Sequence, residues 1–112
     1  MSRSPITTHV LNLDSGRPAE DVAVTLFRLP SDTPLASART DSDGRVVQWS
    51  TPLALQEGTY RLQFDTGAWF EAQGKHSFYP GVVIDFAVTA TDEHYHVPLL
   101  LNAHGYSTYR GS

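Results

Sequence analysis

This 112-residue sequence predicts an all-β sandwich, and three observations carry that prediction. Short runs rich in β-branched, aromatic and aliphatic residues recur at nearly regular spacing. Between them stand clusters of Gly, Pro, Asp and Ser, the residues that turns demand. Only one segment has a helical pattern, and it is about two turns long. A composition that is 40% hydrophobic and 18% charged can bury one core and is unlike that of a disordered chain.

The elements follow in order. ITTHVLNL (6–13) is β-rich and stops at DSGRP, where Gly16 and Pro18 mark a turn. VAVTLFRL (22–29) ends at PSDTP, and LASARTD (35–41) runs into DSDG, a hairpin signal because Gly44 can take positive φ. RVVQW (45–49) reads as a short strand at an edge. In GTYRLQFDT (58–66), Tyr60, Leu62 and Phe64 alternate with Arg61, Gln63 and Asp65. TGAWFEAQG (66–74) holds the helix, between Gly67 and Gly74. GVVIDFAVT (81–89), EHYHVPLLLN (93–102) and GYSTYRG (105–111) supply the last strands. The sum is eight strands and one short helix in a single domain spanning 1–112, with residues 1–4 expected to be disordered.

VVIDFAV and HVPLLL have apolar residues on both faces. Something must cover the second face, and for a chain this short another subunit is the natural cover, so a homo-oligomer is expected.

The net charge of −4 speaks against a nucleic-acid binder, which needs a basic face. No apolar run approaches the roughly 18 residues of a membrane span. The N-terminal segment lacks the apolar run and cleavage site of a signal peptide. With no cysteine there is neither a disulfide framework nor a thiolate metal site, and the expected compartment is the cytoplasm.

Strand parity locates the candidate chemistry. Thr7, His9 and Leu11 share one face, opposite Thr8 and Val10. His94, His96, Pro98 and Leu100 share a face opposite Tyr95, Val97, Leu99 and Leu101. If Val10 and the Val97, Leu99, Leu101 row fill the core, His9 and His96 point out onto the face that a partner is expected to cover. A shared, water-poor groove would lower both imidazole pKa values and keep the rings neutral, as a general base requires. Arg45 follows a turn glycine; it is either a solvated turn residue or a carbonyl clamp. His94 and His96 could offer two imidazoles to a metal, but nothing else stands at a ligand spacing, so neither metal nor cofactor is expected. His76 and His104 read as surface residues. Ser107 and Ser112 lack a nucleophile elbow, and no Gly-rich phosphate cradle is present. From residues alone, the reading ends at a β-sandwich oligomer with a polar groove.

Five segments go further. ITTHVLNLDSGRPAEDVAVTLFRL, RTDSDGR, GTYRLQFDTGAWF, FYPGVVIDFAVTATDEHYHVPLLL and GYSTYRGS resemble, in order, the segments of the transthyretin-related 5-hydroxyisourate hydrolases. THVL, DGR, HYHVPLLL and YRGS are the most specific parts. The resemblance implies a transthyretin-like eight-stranded two-sheet sandwich, assembled as a homotetramer with sites at subunit interfaces. It implies catalytic roles for His9, Arg45 and His96, and substrate binding by Tyr109, Arg110, Gly111 and Ser112. It implies hydrolysis of 5-hydroxyisourate, the product of urate oxidation, to 2-oxo-4-hydroxy-4-carboxy-5-ureidoimidazoline. One departure is Asn102, Ala103 and His104, where the family commonly has Ser-Pro-Tyr. It bears on a turn.

Two other readings compete. A transthyretin-like carrier would place a small aromatic ligand in the same channel, where His9, Arg45 and His96 would be out of keeping with an apolar slot. A structural β-sandwich module matches GRPAEDVAVTL, RTDSDGR and GTYRL but leaves HYHVPLLL and YSTYRGS unexplained.

Overall fold

The structure, a computed structural model, describes residues 3–112. Its strands are β1 (Ile6–Asn12), β2 (Arg17–Pro18), β3 (Ala23–Arg28), β4 (Ala36–Arg39), β5 (Arg45–Val46), β6 (Gly58–Phe64), β7 (Val82–Val88), β8 (Tyr95–Asn102) and β9 (Gly105–Thr108), with one helix, α1 (Thr66–Glu71), between β6 and β7. One sheet runs β2-β1-β8-β9 with β5 also on β1, and the other runs β4-β3-β6-β7. Two sheets and one short helix match the expected architecture.

The alternation read in β6 is what buries it. Tyr60, Leu62 and Phe64 are 1%, 0% and 0% exposed, each side chain removed from water contributing roughly 1.5–3 kcal/mol. Opposite them lie Ile6, Val10, Val97, Leu99 and Leu101 from β1 and β8, in the same buried cluster. Parity therefore leaves His9, His96 and Leu100 half-buried on the other side of their sheet. On β7, Val83, Asp85 and Ala87 face outward and are exposed.

Several boundaries differ from the sequence reading. β2 is an additional two-residue strand, placed by Leu11 pairing with Pro18 and Asn12 with Arg17. β4 stops at Arg39 because the Thr40 hydroxyl turns inward, accepting from the Val22 amide and donating to the Ala19 carbonyl. The helix ends at Glu71, since the Gln73 and Gly74 amides tighten onto the Phe70 and Glu71 carbonyls. Gly74 takes φ +71°, which closes the turn. β9 stops at Thr108, and the tail then continues along β8 in the same antiparallel register, where Gly111 bridges His96. Met1 and Ser2, half of the segment expected to be disordered, lie outside the described residues; the Ser4 amide donates to the Val47 carbonyl at 2.7 Å.

The pairing that matters for function is β1 with β8. The two strands run parallel over seven partners, from Ile6 with Tyr95 to Asn12 with Leu101. Thr7 thus stands beside His96, and His9 beside Pro98.

Candidate active site

Arg45 reaches His9 through its turn. The Asp41 carboxylate accepts from the Asp43 and Arg45 amides at 2.9 and 3.0 Å, folding DSDG into a tight loop. Gly44, at φ +75°, donates no side chain to the fold; a Cβ there would collide with the Val10 carbonyl oxygen. The bare backbone lets the Val10 amide donate to the Gly44 carbonyl at 2.7 Å. β5 is thereby pinned antiparallel to β1 with Arg45 directly opposite His9. One rung of the sheet's outer face reads Arg45, His9, Pro98.

The next rung reads Thr7, His96, Gly111. Thr7, only 3% exposed, holds its Oγ1 2.8 Å from His96 Nδ1 and 2.9 Å from His94 Nε2. The His94 and His96 rings lie nearly parallel, centroids 6.3 Å apart. On the far side the Gly111 amide donates to the His96 carbonyl at 2.8 Å, closing the tail onto β8.

These rungs floor an open groove of about 420 Å³ lined by His9, Leu11, Arg45, His96, Pro98, Leu100, Tyr109, Gly111 and Ser112. His9 and His96 sit diagonally on neighbouring strands. A strand spacing of about 4.8 Å and a rise of about 3.3 Å per residue put their Cα atoms roughly 8 Å apart, room for one small molecule between the rings. Burial is the main force holding the His96 imidazole below its ordinary value, and the Arg45 charge adds to it, followed by His94, His9 and Arg3. His9 is also held low, by burial and then by Arg45, against a main-chain hydrogen bond at Asp43 and the Asp43 and Asp41 carboxylates. Both rings are therefore neutral near pH 7, while the guanidinium beside them stays charged. The groove offers proton acceptors and a fixed cation together, which suits attack of water on a carbonyl whose oxygen becomes negative.

The sequence-derived residues do not all meet here. His9, Arg45, His96, Tyr109, Gly111 and Ser112 line the groove, whereas Arg110 does not. Its guanidinium donates to Glu93 at 3.0 Å and lies 4.6 Å from the centre of the Tyr95 ring, behind the tail. His76 and His104 are exposed. The Asn102, Ala103, His104 departure forms the β8–β9 turn, where Asn102 Oδ1 accepts the His104 amide and the Ala103 amide donates to Asp14. Among the described residues no group of three or more His, Asp or Glu is arranged to hold a metal ion. Residue-by-residue reading left out Thr7 and Pro98. Parity had put Thr7 on the face of His9, and only the β1–β8 register brings it to His96.

Comparison with known proteins bears on the chain's family and its fold. The profile of the HIUase/Transthyretin family matches residues 6–111. A 5-hydroxyisourate hydrolase of Caulobacter vibrioides is 46% identical, over 97% of this chain and 99% of its own. The solved 5-hydroxyisourate hydrolase of Klebsiella pneumoniae superposes with a TM-score of 0.85 at 39% identity, covering 96% of this chain and 98% of that one. Transthyretin from Sparus aurata superposes with a TM-score of 0.88 at 29% identity, covering 97% of each chain. The backbone alone thus fits hydrolase and transthyretin equally well, and it is sequence that leans to the former. With the match running from the first strand to Gly111 in the tail, the chain belongs to the HIUase/Transthyretin family.

Proposed function

We propose that this protein is a 5-hydroxyisourate hydrolase acting in urate degradation, and that the groove on the outer face of the β1–β8 sheet is its active site. What supports the reading most is that His9, Arg45 and His96, from three strands, meet in one groove with both imidazoles neutral. Water bound between the rings gives a proton to one of them as its oxygen attacks a ring carbonyl. Arg45 binds that carbonyl oxygen and stabilises the charge that develops on it. The carbonyl carbon then leaves its ring nitrogen, so the six-membered ring opens. The carbon becomes the carboxylate of 2-oxo-4-hydroxy-4-carboxy-5-ureidoimidazoline, and the nitrogen, taking a proton from the imidazolium, becomes part of the ureido group. Tyr109, Gly111 and Ser112 form one wall and align the substrate; Arg110 supports that wall from behind through Glu93 and Tyr95.

In this reading the chain works as a homotetramer in the cytoplasm, with grooves of facing subunits closing on one another. The outer face supports this: Leu11 and Leu100 lie in a groove that is open to water on the single chain, and hydrolytic electrostatics gain from excluding bulk solvent. Light scattering after size exclusion would then give four times the 12.4 kDa chain mass.

The activity is tested by generating hydroxyisourate in situ from urate with urate oxidase and following its decay. The protein should accelerate decay and yield the ring-opened product. Decay at the spontaneous rate would overturn the assignment.

A further inference from the structure

We propose that Thr7 and His94 are positioning residues that hold the proton of His96 on Nδ1, so that Nε2, the nitrogen left for the groove, is bare. The proposal rests on the reading of His96 as a proton acceptor and extends it to two residues that do not line the groove.

The Thr7 hydroxyl lies between two imidazoles, 2.8 Å from His96 Nδ1 and 2.9 Å from His94 Nε2. A hydroxyl has one proton to give and two lone pairs to share. If it donates to His94 Nε2, it accepts from His96, whose proton is then on Nδ1. If it donates to His96 Nδ1, the proton of a neutral His96 must sit on Nε2, and the groove then meets an N–H with no lone pair to accept a proton. The hydroxyl is buried, at 3% exposure, so its proton needs one of the two rings rather than water.

Charge decides between the two arrangements. On the groove side stand Arg45 and His9, one rung away, and Arg45 is the strongest charge acting on His96. A guanidinium there favours a lone pair over an N–H on the nitrogen turned toward it. Burial, then the charges of Arg3 and Arg110, keeps the His94 ring from charging, so its Nε2 can serve as acceptor. The two preferences agree: Thr7 donates to His94, and His96 donates to Thr7. His94 matters because it takes the hydroxyl proton that would otherwise go to His96. Which ring nitrogen of a histidine is protonated is generally set by the hydrogen bond made by the other.

Nitrogen-15 spectra of histidine-labelled protein, taken above the imidazole titration range, test this without any turnover. We expect His96 protonated on Nδ1 and bare on Nε2; a proton on Nε2 overturns the proposal. His94→Phe should move that proton to Nε2, and an unmoved proton likewise overturns it. In kinetics, Thr7→Val should lower kcat by about 10²-fold, the low end of a general base's contribution, with KM changed less than about two-fold. Thr7→Ser, which keeps the hydroxyl, should restore most of kcat. Wild-type kcat in Thr7→Val would sink the proposal. If the unaltered protein does not hydrolyse hydroxyisourate, the functional reading fails by itself, and the spectra still decide where the His96 proton resides.

Discussion

Gly111 and His96 are joined twice. The glycine amide donates to the histidine carbonyl at 2.8 Å, and the glycine α-carbon lies against the imidazole itself. A Cβ at 111 would stand 2.6 Å from His96 Cδ2 and 3.1 Å from Pro98 Cγ. The tail can therefore wall the groove only because this position has no side chain. Backbone closeness here fixes both the ring's place and the groove's width.

Gly111→Ala should accordingly lower activity and leave the fold intact. The ring is tethered by Thr7 and cannot simply swing aside, so the tail must lift or the imidazole must tilt. A displacement of about 1 Å in a reacting group can cost on the order of 10²-fold in rate. Turnover measured beside thermal unfolding checks this: kcat should fall at least ten-fold, while the midpoint shifts little because the tail sits outside the core. Wild-type kcat in Gly111→Ala would mean the tail is not part of the site.

His9→Asn and His96→Asn test the acceptors themselves. General base catalysis contributes about 10²–10⁴-fold, so each variant should lose at least two orders of magnitude in kcat. Both side chains are on the outer face and half-buried, so circular dichroism should show a native sandwich. If both variants keep near-normal turnover, neither ring is the acceptor.

Much of this site was legible in the sequence, because alternation along a strand fixes which side chains share a face. Val10, Val97, Leu99 and Leu101 had to go in, and that alone sent His9 and His96 out. The same rule puts Ser107, Tyr109 and Gly111 on one face of the tail and Arg110 on the other, since neighbours on an extended chain point opposite ways. The resemblance alone grouped Arg110 with the wall, and the guanidinium sits behind it with Glu93 and Tyr95. The register between β1 and β8 could not be read at all. Their residues are far apart in sequence, and nothing local says that Thr7, rather than His9, stands beside His96. β2 was hidden for another reason: it pairs with β1 only five to seven residues away, and its two residues look like part of the turn between them.

Gly44→Ala should be the more damaging glycine change for stability. The position needs φ +75°, and the added Cβ would press on the Val10 carbonyl of the central strand. Left-handed backbone costs a non-glycine residue about 1–2 kcal/mol before any collision is counted. Each kcal/mol lowers the midpoint of a domain near this size by roughly 4–8 °C. Scanning calorimetry should show at least that loss. Because β5 would move off β1, kcat/KM should also fall with Arg45 no longer opposite His9. Unchanged stability would show that the turn can relax at no cost.

The acid limb of the pH–rate profile tests the electrostatics of the groove as a whole. Burial, then Arg45, lowers both His9 and His96 from the ordinary 6.5. The free enzyme's kcat/KM should therefore stay high as the pH falls through 6.5 and decline only below it, since that profile reports the free enzyme's pKa values. Stability follows the same histidines. Between the folded value and 6.5 the unfolded chain binds more protons than the folded one, so stability rises with pH across that window. It is complete above the unfolded value and is lost as the pH falls toward the folded one. Arg45→Gln removes the second cause and leaves the first, so the acid limb should move part of the way back toward 6.5. The same substitution should cut kcat by about 10²–10³-fold, as expected when one preorganised donor to a developing oxyanion is lost. A limb that does not move in Arg45→Gln would remove Arg45 from the causes of the lowered imidazoles, and an unchanged kcat would remove Arg45 from the carbonyl.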